Sequence, residues 1–296
     1  MFLDRLSCPL CGSPLGDAAE SLTCSQCGAA YAKVGGVPVL TTGSLDKQQE
    51  FQRRYFDAEF AGYRVYRLEN WRLSFIERIF NAVGVLEGRA PYLDIGVGGS
   101  GATVIEAARF GVDAVGCDLS VEGILAASRM ASDQGVDERA SFYVCAAESL
   151  PFQDDTFASA SAVAVLEHLD DDAPAIAEIA RVLRPGGRVW ITVPHAYRYI
   201  PPAIWPLYLW HDRRIGHKRH YDEGRLVQAC ARAGLRHVGT HYSGHPVKIL
   251  QLAASVILPA LRRTRSPLWW RLEQLDRRAG ARKFGALQLN AVFARA

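Results

Sequence analysis

The chain has 296 residues, 49% hydrophobic and 22% charged, as in an ordinary soluble globular protein. Lys and Arg number 34 against 31 Asp and Glu, a net charge of +3 that is too balanced to argue for nucleic acid as a partner. No apolar run reaches the ~18–20 residues needed to span a bilayer, and the first residues lack a basic segment followed by an apolar core, so a cytoplasmic, reducing setting is expected. There the seven cysteines are thiols or metal ligands. The length suits one large domain with a small module, or two domains.

Residues 1–42 read as the small module. Cys8-Pro-Leu-Cys11 and Cys24-Ser-Gln-Cys27 are two C-x-x-C pairs with twelve residues between them. Each pair suits a tight turn, and the glycine after each lets the backbone wrap round an ion. Four thiolates complete tetrahedral zinc with no open position, so a structural site is expected at Cys8, Cys11, Cys24 and Cys27. Redox or disulfide-forming C-x-x-C pairs are the alternative. A module this small cannot fold on apolar burial alone. Tyr31 to Leu40 reads as its closing strand and turn. Residues 43–90 form a connector with two helical stretches: Phe51, Tyr55, Phe56 and Phe60 recur at helical spacing, as do Phe75, Ile76, Ile79 and Phe80.

From Pro91 onward strands and helices alternate. Tyr92, Leu93 and Ile95 predict a buried strand. The glycines at 96, 98, 99 and 101 predict a turn of nearly bare backbone, and Thr103–Arg109 a helix whose first amides point at a ligand. Ala114–Cys117 is a second strand ending in Asp118, whose carboxylate can accept bonds from ribose hydroxyls or cap the next helix, Ile124–Met130. Ser141–Cys145 and Ala158–Val165 are further strands. The helix Ala173–Leu183 is closed by Arg184-Pro-Gly-Gly, and Arg188–Val193 is a fifth strand. The alternation predicts a parallel sheet with helices on both faces and ligands beyond the carboxyl ends of the strands. Residues 194–221, rich in aromatics and proline, form an insertion at that edge that suits a substrate pocket. A helix Arg225–Ala233 and strands Leu235–Tyr242 and Ala286–Phe293 follow, the last antiparallel. Val247–Leu258 is apolar around most of a helix, with Arg262, Arg263 and Arg265 and then Trp269-Trp270 after it. That pattern suits a substrate cap or dimer face, with a peripheral membrane contact through 246–270 as the alternative.

Gly96, Gly98 and Gly101 with Asp118 also match a dinucleotide-binding pattern. Asp94 separates the possibilities, because a carboxylate there repels a pyrophosphate and favours a cationic amino group. S-adenosylmethionine carries such an ammonium and no phosphate, and Asp94-Ile-Gly-Val-Gly resembles the first motif of the class I S-adenosylmethionine-dependent methyltransferases. "AESLPF…DDTF", "VLEHL" and "RVLRPGG" follow in the order of the small-molecule members, including those of ubiquinone and menaquinone synthesis. The resemblance covers about residues 90–195. It implies a Rossmann-like seven-stranded, mostly parallel α/β sheet with helices on both faces over residues 91–296. Substrate-cap insertions at about 194–221 and 246–283 belong to this domain, and the 43–90 helices cover the cofactor. The implied cofactor-binding residues are Asp94, Gly96, Gly98, Gly99, Asp118, Leu119, Ala147, Glu148 and Ala164. Ser100, Ala146 and Ala158 depart from the family pattern, which often has glycine at the first and aspartate at the other two. The ribbon resembles those of tRNA methyltransferase activator proteins and of modules fused ahead of some bacterial methyltransferases.

The reaction expected is methyl transfer to a small-molecule acceptor, O-methylation of a glycan, lipid-linked compound or secondary metabolite, by in-line displacement. An oxygen acceptor needs a proton removed, and histidine suits that task near neutral pH. His168, His195 and His217 are expected at the carboxyl edge of the sheet. The rivals are an rRNA or tRNA methyltransferase with a zinc finger, supported by arginines between 262 and 283, a non-catalytic S-adenosylmethionine-binding adaptor, and an NAD oxidoreductase.

Overall fold

The computed structural model describes residues 2–68, 70–245 and 267–296. The amino-terminal 40 residues form a four-stranded antiparallel sheet: β1 (Leu15–Asp17), β2 (Ser21–Cys24), β3 (Ala30–Val34) and β4 (Val37–Pro38). Two helices follow, α1 (Lys47–Phe60) and α2 (Asn70–Val83). Asp46 starts α1 with a reciprocal cap: its carboxylate accepts from the Gln49 N–H at 2.8 Å, and the Gln49 side chain accepts from the Asp46 N–H at 3.1 Å. The apolar stripe of α2, Ile76, Ile79, Phe80 and Val83, is buried, and Phe80 meets Tyr92 edge-on.

The larger sheet is built from β5 (Tyr92–Ile95), β6 (Ala114–Asp118), β7 (Ala140–Val144), β8 (Phe157–Val163), β9 (Leu183–Pro194), β10 (Leu235–Ser243) and β11 (Gln288–Arg295). Its order is β10-β11-β9-β8-β5-β6-β7. Strands β5 to β9 run parallel, and β11 lies antiparallel between β9 and β10. The chain winds outward from β5 to β6 and β7, then returns to β8 on the other side of β5. That reversal opens a crevice at the carboxyl end of β5, where the glycines lie. The helices α3 (Ala102–Arg109), α4 (Val121–Asp133), α5 (Ala173–Val182), α6 (Trp205–Ile215) and α7 (Glu223–Arg232) connect and extend this core.

The seven-stranded α/β architecture is the one expected, and its departures are local. Strand β8 stops at Val163 because Ala164 has φ +56°, a left-handed conformation that breaks the ladder. Arg184-Pro-Gly-Gly is a bulge inside β9: Leu183 pairs with Phe157 and Arg188 with Ser159, so four residues loop out opposite one. The 194–221 insertion closes on itself, with the Tyr221 N–H on the Pro194 carbonyl and the Ala196 N–H on the Tyr221 carbonyl. Within it α6 begins with Pro206 in its first turn and ends at Gly216, φ +74°. The apolar stretch 247–258 and the arginines at 262, 263 and 265 lie outside the described residues. Among the described residues no helix is long and apolar enough to cross a membrane.

The ribbon docks on the free edge of β7. The Leu40 N–H bonds the Val144 carbonyl at 2.7 Å, the Ser7 N–H bonds Pro151 at 3.0 Å, and the Gln153 N–H bonds Arg5 at 3.0 Å. Leu6, Leu22, Tyr31 and Leu40 are buried in the same apolar cluster as Ile95, Val115, Phe152 and Phe157 of the main sheet. The exposed edge that β7 would otherwise present is thereby covered.

Candidate active site

A cavity of about 1120 Å³ opens at the carboxyl ends of β5, β6, β8 and β9. It is larger than the ~300–1000 Å³ typical of a single small-molecule site, leaving room for two ligands. One wall is the glycine turn. Gly96 has φ +73°, and a Cβ there would lie 2.4 Å from Cγ2 of Val165, so neither the conformation nor the space admits a side chain. Asp118 ends β6 on the same wall. Its Oδ2 accepts from the Gly98 N–H and its Oδ1 from the Ser120 N–H, both at 2.9 Å. A carboxylate has about four acceptor positions, so two remain for a diol. The cap of α4 is Ser120, whose Oγ accepts from the Gly123 N–H, which frees Asp118 from that duty. Burial holds the Asp118 carboxyl above its ordinary range.

Of the residues expected to hold the cofactor, Gly96, Gly98, Asp118, Leu119, Ala147, Glu148 and Ala164 line the cavity. Ala146 lines it too, while Ala158 lies at the far end of β8. Asp94 and Gly99 stand behind the wall. Asp94 accepts hydroxyl hydrogen bonds from Thr103 and Ser161, and burial pushes its carboxyl up to about 6. Gly99 is covered by Phe60, where a Cβ would come within 2.8 Å of the ring. This contact lays the end of α1 over the glycine turn, and Asp57 adds a bond from Ser120 Oγ at 2.6 Å. Phe56 and Tyr55 of the same helix line the cavity, so part of the connector does cover it.

The three candidate histidines are placed differently. His195 is fully buried, stacked on Tyr199 at 4.5 Å with its Nδ1 3.2 Å from the Ala286 carbonyl, and is not on the cavity wall. Burial lowers its pKa to about 4. Its ring packs between Tyr199 and Tyr242, away from the cavity wall. His168 and His217 do line the cavity, as Asp118 does. His168 is pressed edge-on between Phe56 and His217, and burial holds it at about 3. His217 Nδ1 lies 2.8 Å from Asp212 Oδ1, and its Nε2 lies 3.8 Å from Glu167 Oε1.

Asp212 and Glu167 were not singled out by residue type, although both lie in stretches that were. Asp212 collects four neighbours: His217, His220 at 2.7 Å, Tyr197, and His211 at 3.9 Å. Burial would raise its pKa, but those hydrogen bonds hold it far below the usual carboxylate range. Glu167, buried beside it, is pushed up to about 8. Two glutamines of α1 tie this group to the connector: Gln48 Nε2 donates to the His168 carbonyl at 2.8 Å, and Gln52 Nε2 to the Ile215 carbonyl at 3.2 Å.

The four ribbon cysteines converge, with one Sγ from each within 4.8 Å of the others and no disulfide among them. Cys8 and Cys27 are 3.7 Å apart, Cys11 and Cys24 3.4 Å, near the ~3.8 Å edge of a tetrahedron with ~2.3 Å metal–sulfur bonds. The two turns are built alike: the Cys8 N–H bonds the Ser13 carbonyl and the Gly12 N–H the Cys8 carbonyl, while Cys24, Ala29 and Gly28 repeat the pattern. The residues present therefore fit a zinc ion.

Comparison with known proteins agrees with the geometry. The family described as "Methyltransferase domain" matches residues 93–191. Norajmaline N-methyltransferase of Rauvolfia serpentina is 35% identical over 111 residues, 38% of each chain. A ubiquinone/menaquinone biosynthesis C-methyltransferase of Desulfotalea psychrophila is 36% identical over 91 residues, 30% of this chain and 35% of the relative. The matched stretch thus spans well under half of either relative. Geranyl diphosphate C-methyltransferase of Streptomyces coelicolor, solved with Mg2+, geranyl diphosphate and S-adenosyl-L-homocysteine, superposes with a TM-score of 0.61 at 17% identity. That match covers 86% of this chain and 100% of the other. Residues 93–191 match the methyltransferase domain family, and they lie within a seven-stranded fold shared with that solved methyltransferase.

Proposed function

We propose that this chain transfers a methyl group from S-adenosylmethionine to an oxygen of a small-molecule acceptor, with zinc holding the ribbon together. The observation that carries the reading is one cavity lined by two unlike sets of residues: a glycine turn with Asp118, and the Glu167, His168 and His217 group. S-adenosylmethionine supplies an activated methyl group on a sulfonium. The chain's task is positioning, since an in-line displacement gains most from holding donor and acceptor in register. Asp118 takes the ribose diol, Ala147 and Glu148 flank the adenine, and the bare turn at Gly96 and Gly98 lets the rest of the cofactor lie on backbone. Tyr55, Phe56, Tyr208 and Trp210 line the remaining space and suit an aromatic ring or a prenyl chain.

Calorimetric titration of the zinc-loaded full chain with S-adenosylmethionine and, in parallel, with NADH tests the reading. Micromolar binding of the first is expected, weakened at least ~10-fold in Asp118→Ala, which removes charge-assisted hydrogen bonds worth about 1.5–3 kcal/mol each. Binding of NADH with no response to S-adenosylmethionine would overturn it.

A further inference from the structure

We propose that Glu167, His168 and His217 form a second metal site, for a divalent transition ion, on the acceptor wall of the cavity. These residues each offer one ligand atom, all within 4.8 Å of one another. Glu167 and His168 are 1% and 8% exposed, and Glu167 Oε2 and His168 Nδ1 have no hydrogen-bond partner. Two buried polar atoms left without partners are costly without a ligand. His217 Nε2 and Glu167 Oε1, 3.8 Å apart, are too far for a hydrogen bond and near enough to share an ion with bonds of ~2.0–2.2 Å.

The surroundings are those of a ligand set. His217 gives its Nδ1 side to Asp212, which leaves Nε2 toward Glu167 and fixes the ring. Asp212 Oδ1 takes the His217 Nδ1 side and its Oδ2 lies against both His220 and Tyr197, so both its oxygens are occupied. It therefore orients His217 and is not a ligand. The Lys218 N–H bonds the Glu167 carbonyl at 2.8 Å, pinning the His217 segment to the Glu167 segment. Two imidazoles and one carboxylate favour zinc, cobalt, iron or manganese over Mg2+, which prefers oxygen alone. Three protein ligands leave positions open to the cavity, where an oxygen of the acceptor can coordinate. The acceptor class is then a hydroxyl compound with an oxygen donor, such as a phenol or catechol. Its proton leaves to water, the O–CH3 bond forms as the sulfonium C–S bond breaks, and S-adenosylhomocysteine departs. This acceptor step rests on the methyl-transfer reading, but the ion does not.

The test is cobalt titration of the full chain carrying one zinc. About one equivalent of Co2+ should bind with weak visible ligand-field bands and no near-ultraviolet thiolate band. Glu167→Gln and Asp212→Asn should each weaken it ~10-fold or more, with the zinc content unchanged. Asp118→Ala should leave cobalt binding intact, so failure of the ion and failure of the cofactor reading are separable. His217→Gln replaces Glu167→Gln if circular dichroism shows the latter unfolded. A thiolate band alone, no visible bands, displacement by Mg2+ at equal concentration, or unchanged affinity in Glu167→Gln and Asp212→Asn would each overturn the proposal.

Discussion

The ribbon and the 194–221 insertion are both short additions to one sheet, and they are held in opposite ways. The ribbon converges on four thiols drawn from two turns of identical construction, and its few apolar residues merge into the core of the sheet. The insertion has no thiol cluster; its own polar groups gather on the Asp212 carboxylate. It is also fixed by hydrogen bonds to distant elements: Gln48 to the Gly216 carbonyl at 3.3 Å, Gln52 to the Ile215 carbonyl, and Arg219 to Asp172 at 3.1 Å. A module organised by one ion is lost or kept whole, whereas one organised by many polar contacts loosens by degrees.

The largest effect expected from that difference is removal of the ribbon's metal. Structural zinc contributes apparent binding energies of about 10–16 kcal/mol, so chelation should strip exchange protection from residues 1–42 while β5 and β6 stay protected. A ribbon still protected after chelation would break the contrast. The sheet beneath both additions has its own signature. Burial pushes the Asp94 carboxyl up to about 6 in the folded, cofactor-free protein, against ~3.9 for an exposed aspartate. The folded state then binds more protons than the unfolded one between those values. Stability should fall across that window by up to ~3 kcal/mol as pH rises, and Asp94→Asn should flatten that part of the profile in chemical denaturation. The smallest change belongs to the insertion: Gln48→Ala leaves two carbonyls short of a donor and should cost about 1–3 kcal/mol. Its mark should be faster exchange confined to residues 205–217, and a global loss of protection would count against graded loosening.

The same difference explains how far the amino-acid sequence could be read. The C-x-x-C turns, the Asp94–Gly101 turn and Asp118 declare themselves because each is local: a few residues at fixed spacing determine the backbone they need. The alternation after Pro91 set the sheet for the same reason. Asp212 was hidden although His211, His217 and His220 stand close to it in the chain, because their convergence on one carboxylate depends on how the chain turns after α6 at Gly216. Pro206 and Gly216 did mark the ends of that helix. His195 looked equivalent to His217 from spacing alone. Its burial between Tyr199 and Tyr242 follows from tertiary packing that spacing does not encode. Asp94 was legible as a carboxylate at the end of β5. That Thr103 and Ser161 would claim both its oxygens was not.

The docking of the ribbon on β7 brackets one short segment. Leu40 fixes Val144 on one side, and Ser7 and Arg5 fix residues 151–153 on the other. Everything between, including Ala147 and Glu148 on the cavity wall, is strung between two anchors that belong to the ribbon. An ion at the four cysteines and a ligand in the cavity would thereby be linked in the thermodynamic sense. By whatever factor the ribbon's ion tightens the hold on a ligand at Ala147 and Glu148, that ligand tightens the hold on the ion. A chain with its cavity filled should therefore keep zinc to a higher chelator concentration than one with its cavity empty.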